Sequence, residues 1–166
     1  MTEKRYAAIT AWFRERPGCL RTMVFLNRWL PRCLYAAYPV MLLILALLRD
    51  ARIWKAILVP AAVFAVVTVI RKAVNAPRPY ETLDIQPLIP KNKKGESFPS
   101  RHVASAFVLA EAFWYINPFL GLPVGIMALL IALIRPLAGI HFPRDVVAGA
   151  LLSLALGVPA FLFLPF

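Results

Sequence analysis

The chain has 166 residues, 61% of them hydrophobic and 16% charged, with a mean hydropathy of +0.70. Soluble domains sit near half apolar and a quarter charged, so this balance excludes an ordinary water-soluble fold. A formal charge of +11 beside long apolar runs fits anchoring to anionic headgroups, and nucleic acid is not expected as a partner.

The length suits a single domain, 1–166, with room for about five crossings at about 20 residues each. The fold class expected is all-α: an integral membrane helical bundle of about five transmembrane helices, preceded by N-terminal amphipathic helices at the interface. Residues 1–31 form the interfacial part and 32–166 the transmembrane core. Lys4, Arg5, Arg14, Glu15 and Arg16 interrupt the first stretch, so no cleavable signal is expected. The two cysteines, Cys19 and Cys33, lie in neither a CxxC nor a ligand cluster and make no framework.

In chain order, residues 3–30 alternate apolar and basic groups around Pro17-Gly18, the pattern of two amphipathic helices lying in the headgroup plane or packed on the bundle. Residues 33–48 carry no charge and 56–70 form a second clean run. Both are short for a bilayer, which requires Arg32, Arg49 and Lys55 to snorkel, while Pro39 and Pro60 bend the helices. Residues 71–102 form a polar, proline-containing loop. Between His102 and Arg135 the only charge is Glu111, and Asn117-Pro118 with Gly121 breaks the run, so two spans joined by a tight turn are predicted. Residues 146–166 make the fifth. Counting crossings puts the end of the second helix, the start of the third, the end of the fourth and the start of the fifth on one membrane face.

Three polar clusters therefore converge: Arg71-Lys72 with Arg78-Pro79; Pro99-Ser100-Arg101-His102; and Arg135, His141 and Asp145. His141 and Asp145 are four apart, so a helix starting near Phe142-Pro143 lets the carboxylate hold the imidazole Nδ1 proton and leaves Nε2 free to attack. The second cluster opens a helix, where free backbone N–H groups favour an anion. Ser97 or Ser100 also serves as an ordinary helix cap there. Planar guanidinium groups suit the equatorial oxygens of a transferring phosphoryl group, with Arg78 and Arg135 the leading candidates. For Lys91, Lys93, Lys94 and Arg144 a solvated or headgroup-facing position is preferred. Glu111 lies about 13 Å along the axis from His102, too far to join the same phosphate, and is assigned a hydrogen-bonded packing role. Phe113, Trp114 and Tyr115 read as an interfacial belt.

This pattern resembles the type 2 phosphatidic acid phosphatase superfamily, the lipid phosphate phosphatases. Arg78-Pro79 matches its first signature element, Pro99, Ser100 and His102 its second, and Arg135, His141 and Asp145 its third, in the family's order across residues 71–145. By that resemblance His141 is the nucleophile forming a phosphohistidine, Asp145 its orienting carboxylate, and His102 the acid protonating the leaving alkoxide. Arg71 or Lys72, Arg78, Ser100, Arg101 and Arg135 hold the phosphate, with no metal and no cofactor. Three positions depart from the signature: Arg71 stands where a lysine is expected, Arg101 where a glycine is, and Ile134 where a serine is.

The expected substrates are phosphorylated lipids, either polyprenyl phosphates and diphosphates or phosphatidate-like lipids, met at the surface of the cell membrane. Of 19 Lys and Arg residues, all but Arg49, Arg52 and Lys55 fall on the face of the three clusters, which by the positive-inside tendency is the cytoplasmic one. A phosphotransferase using another alcohol as acceptor, and a non-catalytic protein binding anionic lipids, are the competing readings.

Overall fold

The computed structural model describes residues 2–165, and all regular structure among them is helical. Seven helices follow in order: α1 (Glu3–Arg14), α2 (Pro17–Leu47), α3 (Ile53–Val74), the single turn α4 (Pro79–Thr82), α5 (Arg101–Ile116), α6 (Pro118–Leu137) and α7 (Pro143–Phe163). Of these α2, α3, α6 and α7 are long and apolar enough to cross a membrane. The third crossing predicted from the sequence, the one that starts near His102, corresponds to α5. Its 16 residues span only about 24 Å at 1.5 Å per residue, so it stays inside the bundle, packed against α2, α3, α6 and α7.

Punctuation in the sequence sets the helix ends. Pro17, Pro118 and Pro143 open α2, α6 and α7 at the first helical position, where the missing N–H costs nothing. The Asn117 side chain accepts from Phe119 N at 2.8 Å and caps α6, as an Asn N-cap does.

One boundary differs from expectation. Residues 17–30 are not a separate interfacial helix but the first turns of α2, whose 31 residues reach about 46 Å, well beyond a hydrocarbon core of about 30 Å. No glycine, capping residue or polar gap separates 17–30 from the apolar run after it, and Pro31 and Pro39 are both carried inside the helix. The change from basic-aromatic to purely apolar falls within one continuous helix and is not where it stops.

Bringing apolar helices together in lipid depends on close packing by small side chains. Gly149, Ser153 and Gly157 repeat every four residues along α7 and are all buried. A Cβ on Gly149 would stand 2.7 Å from the Ser100 carbonyl oxygen, so the start of α7 and the start of α5 touch backbone to backbone. Lower in the same seam, the Ser153 hydroxyl donates to Glu111 Oε1 at 2.8 Å. This is the packing role expected of Glu111. Phe113 is buried in the core while Trp114 is exposed, so the predicted aromatic belt is split between two faces.

At the end remote from the three clusters, Lys55 does not snorkel outward. It is buried, its ammonium donates to the Phe161 carbonyl at 3.2 Å and lies 5.4 Å from the Tyr115 ring centroid. The last turn of α7 offers unpaired carbonyls and the negative end of the helix dipole, and these satisfy the cation inside the bundle.

Candidate active site

Four helix ends meet at one pole of the bundle, as the crossing count requires. The Ser100 amide donates to the Asp145 carbonyl at 2.8 Å, joining α5 to α7. The buried Arg71 guanidinium on α3 donates to the Pro99 carbonyl at 2.5 Å and to the Ser97 carbonyl at 3.5 Å, joining α3 to the loop before α5. Arg78 donates from Nε to the Gly95 carbonyl at 3.1 Å and from Nη1 to the Ile140 carbonyl at 3.4 Å. Glu81 fixes the same corner, its Oε2 accepting from the amides of Arg78 and Gly95 at 2.8 and 2.9 Å.

His141 sits in the turn between α6 and α7, just ahead of the Phe142 N-cap. Gly139, at φ +74°, reverses the chain there with the Pro87 backbone 3.3 Å from where a Cβ would stand; a left-handed residue in so tight a place requires glycine. Asp145 is the third residue of α7. Its Oδ2 accepts from the Phe142 amide at 3.0 Å and lies 3.7 Å from His141 Nδ1, too long for a direct hydrogen bond. Ser97 fills the gap. Its hydroxyl donates to Asp145 Oδ2 at 2.5 Å and stands 3.3 Å from His141 Nδ1. With the serine proton committed to the carboxylate, its oxygen is free to accept from Nδ1–H, and that tautomer leaves Nε2 unprotonated.

Burial and the neighbouring cations set the charge state of the imidazole. His141 is pushed down to about 4, chiefly by burial and further by Arg78 and Arg135, against the opposing pull of Asp145. The ring is therefore neutral near pH 7.

Three buried polar atoms at this pole have no hydrogen-bond partner among the described residues: Asp145 Oδ1, which lies 3.7 Å from Arg144 Nε, and the donors Arg135 Nε and Ser100 Oγ. Each donor costs about 1–3 kcal/mol if left unsatisfied in a dry site. An anion placed between them removes that cost. His102, in the first turn of α5, is half-buried and lies in the field of Arg135, Lys91, His141 and Arg101.

The residues singled out from the sequence thus divide. Arg71, Arg78, Ser100, Arg135, His141 and Asp145 are buried at this pole, with His102 beside them. Between the two adjacent cations left open by the sequence, Arg71 turns inward and Lys72 is exposed. Arg101 leans over the Phe64 ring of α3, 5.5 Å from its centroid.

Two residues were valued differently by sequence reasoning. Ser97 reads there only as a helix cap, yet it makes no cap and links the imidazole to the carboxylate; nothing in its spacing separates the two roles. For Lys91 the sequence favours a solvated or headgroup-facing position, but the residue is half-buried. Its pKa is lowered by that burial and by Arg135, Arg78, Lys93 and Arg71, so its charge adds to the pole's positive potential.

Three guanidinium groups, two orphaned donors and a neutral, oriented imidazole thus stand together at this pole, the kinds of group that complement a tetrahedral oxyanion. The family model of the PAP2 superfamily matches residues 52–166, which include every one of these groups. Undecaprenyl-diphosphatase BcrC of Bacillus subtilis (strain 168) is 33% identical over 90 residues, 54% of this chain and 45% of that protein, so the match spans less than half of the relative's length. The crystal structure of Aquifex aeolicus LpxE superposes with a TM-score of 0.70 at 29% identity, covering 84% of each chain. The first transmembrane PAP2 type phosphatidylglycerolphosphate phosphatase from Bacillus subtilis shares the fold at 20% identity, with a TM-score of 0.52 over 93% of this chain and 90% of that one. With the family's motif residues meeting at one pole and its model covering all of them, this chain belongs to the PAP2 superfamily.

Proposed function

We propose that this membrane protein is a lipid phosphatase that removes phosphate through a phosphohistidine on His141 and needs no metal ion. The observation that carries the reading is the pair of unpartnered buried donors, Arg135 Nε and Ser100 Oγ, at the pole where Ser97 and Asp145 orient His141.

In the first half-reaction His141 Nε2 attacks phosphorus, and the bond to the lipid oxygen breaks as His102, which holds a proton once the charge of the bound phosphate offsets burial and the neighbouring cations, delivers that proton to the departing alkoxide. Nδ1–H stays with Ser97 and Asp145, whose charge stabilises the imidazole as it becomes positive. In the second half-reaction His102 takes a proton from water. The resulting hydroxide attacks the phosphohistidine, and phosphate leaves with His141 returned to its neutral form. Arg135, Arg78, Arg71, Ser100 and Arg101 neutralise the equatorial oxygens, with Lys91 adding charge from the loop. Transition-state charge is met here by cations and hydrogen bonds. Among the described residues no three His, Cys, Asp or Glu side chains stand together as a metal site.

The substrate's phosphate enters at the end of the bundle while its chain remains in lipid. The diphosphatase named among the relatives supports a polyprenyl diphosphate, and phosphatidate-like lipids are the competing class. The concentration of Lys and Arg on this face supports a cytoplasmic site. Purified protein in detergent, supplied with polyprenyl phosphate, polyprenyl diphosphate and phosphatidate, is expected to release inorganic phosphate at an unchanged rate in EDTA and to be inhibited by orthovanadate. Strict dependence on a divalent cation would replace this mechanism with metal-assisted hydrolysis.

A pH test follows from the neutral imidazole. Acylation of His141 by diethyl pyrocarbonate requires the unprotonated ring, so its rate, read by peptide mass spectrometry, is expected to reach half-maximum near pH 4, the depressed value. A midpoint near the ordinary histidine value of about 6.5 would mean that the ring is solvated and not held as described.

A further inference from the structure

Helix α1 lies outside the residues matched by the family model, yet it reaches the site. Most of it is exposed, and Tyr6 is its one buried residue, 1% accessible. The Tyr6 hydroxyl donates to the His141 main-chain carbonyl at 3.2 Å. That carbonyl belongs to a turn outside any helix and has no other protein donor among the described residues.

Three further contacts dock α1 across the pole. Glu3 Oε1 accepts from the Asp84 amide at 3.2 Å, Arg14 reaches Gln86 Oε1 at 3.5 Å, and Phe13 packs on the cluster of Ile134, Ala138 and Ile140. The helix therefore touches the loop before α5 and the turn that carries His141. Burial, with the Asp145 charge adding to it, raises the Tyr6 hydroxyl to about 12, so it remains a donor throughout the working range.

We infer that α1 is part of the catalytic apparatus and that Tyr6 is a positioning residue, holding the backbone of His141 from the outer side while Ser97 and Asp145 hold its ring from the inner side. The inference rests on the proposed role of His141 as nucleophile. Without the Tyr6 hydrogen bond the turn around Gly139 keeps only the apolar packing of Phe13 on Ala138 and Ile140 as a tie to α1. The imidazole then samples orientations in which Nε2 no longer faces phosphorus, and water gains access to it. Misplacing a nucleophile lowers turnover far more than substrate binding, because the phosphate is held by other groups.

The experiment compares wild type, Tyr6→Phe and His141→Ala as purified full-length protein, with kcat, KM, melting temperature and the pH dependence of His141 acylation measured for each folded sample that retains the group. Tyr6→Phe keeps the ring that fills the space and removes only the hydroxyl. It is expected to lose about tenfold in kcat, the scale of one hydrogen bond, with KM within about twofold and the acylation midpoint moved upward. Rescue is expected in neither Tyr6→Leu nor Tyr6→Ala, both of which lack the donor. A Tyr6→Phe enzyme with wild-type kcat and an unmoved midpoint would overturn the inference, as would a lowered melting temperature with kcat per folded molecule unchanged. In either case an inactive His141→Ala leaves the nucleophile assignment standing, whereas an active His141→Ala removes that assignment and the inference with it.

Discussion

Replacing His141 by alanine is expected to reduce lipid dephosphorylation by about four orders of magnitude or more, the scale seen when the nucleophile of an interdependent catalytic group is removed. The loss should fall on kcat with KM little changed. Arg71 and Arg78 are held by backbone carbonyls independently of the imidazole, and Arg135 and Ser100 remain to bind the phosphate. His141→Ala should therefore still bind orthovanadate or unreacted lipid, which isothermal titration in detergent can measure. Loss of both binding and turnover would instead assign His141 to substrate binding. Normal turnover would remove the mechanism. Asn at position 141 serves as a second variant, preserving a polar group beside Ser97 if the alanine destabilises the turn.

His102→Ala is expected to lower kcat by about two to four orders of magnitude, the range of general acid catalysis, and the size of the loss should depend on the leaving group. A lipid alcohol leaves as a strongly basic alkoxide and needs the proton; a phenolic or phosphoryl leaving group is far less basic. In the first half-reaction, followed as leaving-group release in the first turnover, the deficit should accordingly be largest with phosphatidate and much smaller with an aryl phosphate or with the terminal phosphate of a diphosphate. A uniform loss across all three would place His102 in phosphate binding. In the proposed mechanism His102 also activates water in the second half-reaction, so the aryl phosphate should show a burst of phenol release followed by slow turnover.

The convergence of the site is legible in the sequence because charge runs are sharp signals in an apolar chain. Arg71, His102, Arg135 and His141 each mark a helix end, and the order of crossings forces those ends onto one face. Chain order and apolar length also recover α3, α5, α6 and α7, while the single turn α4 falls inside the stretch expected as a loop. What fails is finer. The junction between residues 17–30 and the first span carries no breaker, so composition suggests two elements where the backbone makes one helix. Lys55 sits at the flank of an apolar run like any snorkelling lysine, and only the position of the α7 C-terminus reveals its partner.

The relay through Ser97 is invisible for a related reason. Spacing brings Asp145 within a turn of His141, but a difference of under 1 Å decides whether they touch directly or through a hydroxyl. Arg71 and Lys72 carry the same charge in adjacent positions, and only helix phase, set by packing against α5, distinguishes the buried one from the exposed one. Tyr6 is harder still. Its helix has no strong apolar face, and its contact with His141 crosses 135 positions, so no local pattern announces it.

The central claim is covalent, and trapping the intermediate tests it most directly. Enzyme mixed with lipid labelled in its terminal phosphate, denatured in alkali within the first turnover and digested, is expected to carry the label on the His141 peptide, and none on His141→Asn. Label found on another side chain, or rapid turnover with no labelled peptide at any time, would contradict the account.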